Sequence, residues 1–247
     1  MYENFVYKTL RVFYDPKFHG ADLYVTGFKG FGAVGYITTL HLVEKLDCKR
    51  IGFIVTKYLP EETTLDAGGG IAGPFTLYGC KTGTISMIVQ VNHDVPAAQE
   101  RSRFAEGVVR FLKAIGVKEA VFFGGFDSRF RSGEEKLRWV KTSTYPRSLE
   151  APLMDKGLYV IGPLALMLLF SEIHSFPAAA LLPYAEASRP DPRAAAVAVE
   201  TLATLYGFEV SVEDLLEEAR KIEEMIMALE RQQEAASMPP SSERVYM

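Results

Sequence analysis

The sequence predicts an α/β fold, a three-layer sandwich around a mixed, mainly parallel central sheet with C-terminal helices and a flexible tail. Short runs of β-branched and aromatic residues alternate with longer segments whose apolar residues recur at helical spacing. Glycines punctuate that alternation, most clearly between the apolar run 23–27 and the helical pattern that follows it. The chain has 247 residues, 48% of them hydrophobic and 23% charged, enough to bury a full core.

Residues 23–27, Leu-Tyr-Val-Thr-Gly, read as a strand. A helix over 33–46 follows, with Val34, Ile37, Leu40, Val43 and Leu46 recurring every three residues. A second buried strand spans 51–56, and the β–α–β order predicts a parallel pair joined by a right-handed crossover. From 59 to 83 the chain is rich in Gly, Pro and Thr, with turns at Gly68-Gly69-Gly70 and Gly73-Pro74, which predicts an antiparallel excursion. Residues 85–91 return to a core strand. A crossover helix over 97–115 puts Phe104, Val108, Phe111, Leu112 and Ile115 on one face and stops at Gly116. The strand 119–123 comes next, and 137–142 alternates as a half-exposed strand does. Two short apolar strands, 158–161 and 178–182, flank a helix that starts at Pro163 and runs to about 173.

The C-terminal part is helical. Asp191-Pro192 supplies an N-cap and a first-turn proline for a helix over 193–206 that ends at Gly207. Ser211 to Asp214 is an acidic variant of the capping box and opens the last helix. Its Leu215, Ala219, Ile222, Ile226 and Leu229 form a heptad seam that needs a partner surface, either another subunit or its own domain. Residues 212–235 hold eight acids and three bases, a net of −5. The total is −4, so the remainder of the chain is close to neutral. Ser237-Met238-Pro239-Pro240-Ser241-Ser242 suits neither helix nor strand and reads as a mobile linker. The chain therefore divides into a single α/β domain with a helical C-terminal portion, 1–236, and a flexible tail, 237–247.

Composition excludes several function classes. A net charge of −4 and a pI near 5.7 argue against a globally basic nucleic-acid surface. Met1-Tyr2-Glu3-Asn4-Phe5 lacks a signal-peptide pattern, and the longest apolar run, 158–170, is broken by Gly162-Pro163. No membrane association and a cytoplasmic location are expected. Cys48 and Cys80 are too few for a disulfide framework or a four-thiolate zinc site, and buried free thiols are expected. His19, His41, His93 and His174 lie at no metal-ligand interval, so neither metal nor cofactor is assigned.

Gly30-Phe31-Gly32-Ala33-Val34-Gly35 matches G-x-G-x-x-G between a strand and a helix. Gly30, Gly32 and Gly35 admit three readings: a tight turn with positive φ or close packing, a dinucleotide site, or an anion at the helix N-terminus. Against a dinucleotide, the second strand ends near Thr56-Lys57 without an acid for a ribose, and Phe28 and Phe31 add bulk. Asn92-His93-Asp94 stands at the C-terminal end of a core strand, where α/β sheets place ligands, although capping of the next helix accounts for it equally. There is no G-x-S-x-G, and Gly124-Gly125-Phe126-Asp127-Ser128 lacks a paired base. No catalytic residue is assigned.

Residues 27–35, the strand 51–56, Gly124-Gly125-Phe126, Asp191-Pro192-Arg193-Ala194-Ala195 and the helix 215–226 together resemble the proteasome assembly chaperone family in its archaeal form, over roughly residues 20–230. The resemblance implies an α/β sandwich similar to nucleoside phosphorylases and hydrolases, no enzymatic activity, and binding to proteasome α subunits. The last residues, Val245-Tyr246-Met247, match the hydrophobic–tyrosine–any signature by which proteasome activators and some assembly chaperones dock between adjacent α subunits. In such a pocket the Met247 carboxylate can pair with a lysine, Tyr246 offers a ring and a hydroxyl, and Val245 fills a small apolar site. One tail binds weakly and several on one particle gain avidity, so a homo-oligomer such as a tetramer is expected. The expected function is that of a non-enzymatic assembly chaperone or ATP-independent activator of the 20S proteasome. The alternative is an enzyme of the phosphorylase/hydrolase-like fold acting on a nucleoside or phosphate-containing ligand at the Gly30 to Gly35 loop.

Overall fold

Leu23, Val25, Val121 and Phe123 turn their side chains to one face of a large sheet, and Tyr24, Ala120 and Phe122 turn theirs to the other, all fully buried. This double burial marks the centre of the molecule. The structure, a computed structural model, describes residues 2–237, and side chains as far as Leu229.

The chain opens with a hairpin, β1 (Glu3–Tyr7) and β2 (Leu10–Tyr14), then β3 (Leu23–Gly27), α1 (Val34–Lys45) and β4 (Lys49–Val55). A separate two-stranded ribbon, β5 (Thr64–Leu65) and β6 (Ile71–Ala72), precedes the long hairpin β7 (Phe75–Thr82) and β8 (Ile85–Asn92). There follow α2 (Arg101–Ala114), β9 (Glu119–Phe123), β10 (Phe126–Asp127), β11 (Leu137–Lys141), α3 (Gly162–Ile173), β12 (Ala178–Ala185), α4 (Pro192–Tyr206) and α5 (Glu213–Ser237). The main sheet runs β1-β2-β4-β7-β8-β3-β9-β12-β10, with β11 also on β12. It is parallel from β8 through β3, β9 and β12 to β10, and antiparallel from β1 to β8. Helices α2 and α3 cover one face, and α1 and α4 the other. This is the three-layer α/β sandwich with a mixed sheet that the sequence predicts. Each fully buried Phe or Leu in these two cores contributes roughly 1.5–3 kcal/mol.

Capping follows the sequence closely. The Asp191 carboxylate accepts from Ala194 N at 3.0 Å, and Gly207 closes α4 at φ 71°. The seam of α5 finds its partner on its own domain: Leu215 and Ala219 are buried, and Arg193 of α4 grips Glu223 at 2.9 Å. Beyond that, Met225, Met227 and Leu229 are exposed. The helix runs through Ser237, the first residue of the segment read as linker.

Four expectations are corrected. β3 and β4 point the same way but are not neighbours, because β7 and β8 insert between them; β8 is buried on both faces and takes a strand on each side. Residues 158–161 form no strand. Gly157 and Gly162, at φ 90° and 74°, lead the chain into and out of an irregular segment whose Tyr159 and Ile161 are 84% and 70% exposed. β11 is not half-exposed over its first residues: Leu137, Arg138 and Trp139 are buried because the 151–154 segment covers them, with Trp139 Nε1 donating to Ala151 O at 2.7 Å. Finally, Cys48 and Cys80 are not free thiols. The β4–β7 register pairs Lys49 with Gly79, which brings the cysteines to a Cα–Cα distance of 4.5 Å, and they form a disulfide. Among the described residues, no helix is long and apolar enough to cross a membrane.

Candidate functional site

The glycine block after β3 is a packing device in its second half. A Cβ on Gly27 would sit 2.4 Å from Gly35 Cα, and one on Gly35 would sit 2.5 Å from Phe123 O. The first turn of α1 therefore rests directly on the backbone of β3 and β9. Gly32 adopts φ 61°, and a Cβ there would meet Ala185 and Asp191. Its carbonyl accepts from Asp191 N at 2.8 Å, tying the turn to the N-cap of α4. Gly125 packs under the turn from the other side, where a Cβ would lie 2.2 Å from Phe31 O. Gly30 alone of the three predicted glycines borders open space.

That space is a cavity of about 650 Å³ at the carboxyl ends of β3, β9 and β12. Phe28, Phe126, Met154, Leu158, Leu164 and Leu182 wall it, and the exposed Phe31, Phe130, Tyr159 and Ile161 border it. Three charged residues reach its lining, namely Lys29, Arg101 and Asp127. Asp127 is already satisfied: Arg129 clamps its carboxylate through Nε at 3.0 Å and Nη2 at 2.6 Å and holds its pKa below the usual carboxylate range. The Lys29 ammonium lies 4.8 Å above the Tyr36 ring. Arg101 donates Nε–H to Pro96 O at 3.1 Å, and its guanidinium has no carboxylate partner among the described residues.

The Asn92-His93-Asp94 run divides among three unrelated tasks. Asn92 completes a buried chain in which the Tyr24 hydroxyl donates to Gln90 Oε1 (2.5 Å) and Gln90 Nε2 donates to Asn92 Oδ1 (2.7 Å). Asn92 Nδ2 in turn donates to Thr26 Oγ1 and Gly27 O, both at 2.8 Å, so its amide is spent holding β8 to β3. His93 Nδ1 lies 3.1 Å from the Tyr36 hydroxyl, while burial and then the Lys29 charge push its pKa down, leaving the imidazole neutral at pH 7. Asp94 accepts from Val95 N at 2.7 Å. No nucleophile–base pair results, and among the described residues no group of three His, Cys, Asp or Glu converges as a metal site. Val245, Tyr246 and Met247 lie outside the described residues.

Sequence reasoning missed Arg101 and the cavity because five separate segments assemble it. The available signal was Tyr159-Val160-Ile161, an apolar triplet close to two glycines.

The profile of the PAC2 family matches residues 24–230. The chain belongs to the PAC2 family. The matched span starts within β3 and closes within α5, so both glycine turns and the cavity are part of the PAC2 region. MJ1210 of Methanocaldococcus jannaschii is 23% identical over 234 residues, covering 90% of each chain. Among solved structures, Pyrococcus furiosus PbaA, described as an archaeal homolog of proteasome-assembly chaperone, superposes with a TM-score of 0.72 at 23% identity, over 88% of this chain and 90% of that one. P. furiosus PbaB, described as an archaeal proteasome activator, gives 0.75 at 17% identity, over 91% and 100%. At these identities the likeness shows a shared fold.

Proposed function

We propose that this PAC2 protein is a non-enzymatic, cytoplasmic proteasome-binding factor, an assembly chaperone or ATP-independent activator. It docks on the 20S α ring through Val245-Tyr246-Met247. The observation that carries this reading is the PAC2 match over residues 24–230 in a chain that ends in hydrophobic–tyrosine–any. The names of PbaA and PbaB support the same partner. The scattered contacts of Asn92, His93 and Asp94 give no support to an enzyme.

A homo-oligomer presenting several tails completes the proposal. It draws support from α3, which carries leucines or other apolar residues almost all round yet leaves Leu169 and Ile173 more than half exposed. The acid on this helix, Glu172, is engaged by Ser143 N at 2.7 Å and Oγ at 2.6 Å, so the face suits a second, equally apolar copy of itself. A single tail binds in the micromolar to millimolar range, and linked tails gain on the order of 10²-fold.

The test is pull-down and peptidase stimulation with 20S particles, comparing the full chain with one lacking Tyr246-Met247, with Tyr246→Ala, and with a C-terminally tagged chain. All three changes are expected to abolish binding, the tag because it converts the Met247 carboxylate into an amide. Undiminished binding by all three would refute tail docking.

A further inference from the structure

We infer that the cavity at the carboxyl ends of β3, β9 and β12 is a binding site for a small amphiphilic anion, one carboxylate on an aliphatic or aromatic body. Its volume, about 650 Å³, lies within the roughly 300–1,000 Å³ of ligand sites. Its position is the one from which open α/β sheets present ligands. The walls set the body of the ligand: Phe28, Phe126, Met154, Leu164 and Leu182 offer rings and methyl groups, and Gly124 gives way to them, since a Cβ there would lie 2.7 Å from Leu164.

The charges set its head. Of the three charged lining residues, the acid is neutralised by its clamp to Arg129, whereas among the described residues neither Arg101 nor Lys29, which lies over the Tyr36 ring, is ion-paired with a carboxylate. The uncompensated charge at the lining is therefore positive. An apolar cation or a neutral lipid would leave it unpaired, and a dianion such as a phosphate would find little hydration or donor density in these walls. The segment 157–162, which supplies Leu158 to the wall and leaves Tyr159 and Ile161 exposed, is the side from which the ligand enters. This site is independent of proteasome docking, and either can fail without the other.

Decanoate, decanol and decylammonium, titrated calorimetrically into the full-length protein, test the inference. Decanoate is expected to bind on the order of 10–100 μM, given its dozen non-hydrogen atoms, and decylammonium at least tenfold more weakly. Arg101→Gln is expected to weaken decanoate at least tenfold and leave decanol unchanged. Leu158→Trp, on the exposed segment, is expected to exclude both without altering the melting temperature. No decanoate binding at 1 mM, decylammonium binding as tightly as decanoate, or indifference to Arg101→Gln would each overturn the site. A peptide of residues 238–247 that displaces decanoate at lower concentration would overturn the small-molecule assignment in favour of an apolar C-terminus.

Discussion

Gly35 shows how a single missing side chain sets the spacing of two layers. With a Cβ, α1 would have to lift from the backbone of Phe123, which sits too close to yield as a flexible side chain can. Gly35→Ala is therefore expected to cost at least about 2–3 kcal/mol in denaturant unfolding, whereas Gly30→Ala, facing open space, is expected to change stability little. Asp22 ties the starts of β3 and β8 to the residue just before β9. Its carboxylate accepts from Lys118 Nζ at 2.6 Å and from Ser86 N and Oγ at 2.9 Å, and these bonds, Lys118 first, lower its pKa to about 2. Because the folded value lies below the unfolded one, the stabilisation is complete above about pH 4 and is lost as pH falls towards 2. Asp22→Asn is expected to cost about 1–2 kcal/mol at pH 7, allowing for solvent screening, and to match the parent near pH 2. Urea melts across that range check both the size and the direction.

At the scale of elements, the Cys48–Cys80 bond staples the end of the α1–β4 turn to β7 across a sequence separation of 32. A loop of that size gives a loss of roughly 3–4 kcal/mol on Cys80→Ser by the chain-entropy model. Thiol titration of the denatured, unreduced chain should find no free cysteine. α5 is expected to behave as two halves: Ala219→Glu buries a charge against α4 and lowers the melting temperature, while Met225→Glu, on the exposed half, leaves it in place. Hydrogen exchange should divide at about the same point, with 213–222 protected longer than 225–229. What the sequence made legible here was local. Asp191-Pro192 and Gly207 mark α4 because caps act within a turn, and residues 23–27 and 119–123 read as strands because both their faces are apolar. Neighbour relations were illegible: the Lys49–Gly79 pairing that unites the cysteines, and the insertion of β7 and β8 beside β3, depend on register between segments far apart in sequence. The segment 158–161 misled because four apolar residues in a row fit a buried strand and an exposed loop equally.

For the whole molecule, the apolar outer face of α3 is a surface in need of cover, with Leu169 and Ile173 more than half exposed. Light scattering should report a multimer, and Leu169→Glu with Ile173→Glu should shift it to monomer while circular dichroism stays unchanged. A doubly substituted chain that keeps the parent's mass would place the contact elsewhere. The candidate site was only half legible for a similar reason: Gly30 and the glycine turn stand out in the chain, but Arg101, Met154 and Leu164 come to the same cavity from α2, a loop and α3. The position of β3 carries one more consequence, for synthesis. Its two neighbours, β8 and β9, end at residues 92 and 123, so β3 leaves the ribosome long before either partner exists. Until then Leu23, Tyr24 and Val25 lack their full cover: a nascent chain stalled short of residue 92 holds β3 with neither neighbour, and one stalled between 92 and 123 holds it with one edge unpaired. By this geometry the nascent chain is itself a client of the protein-folding machinery until β9 has been made.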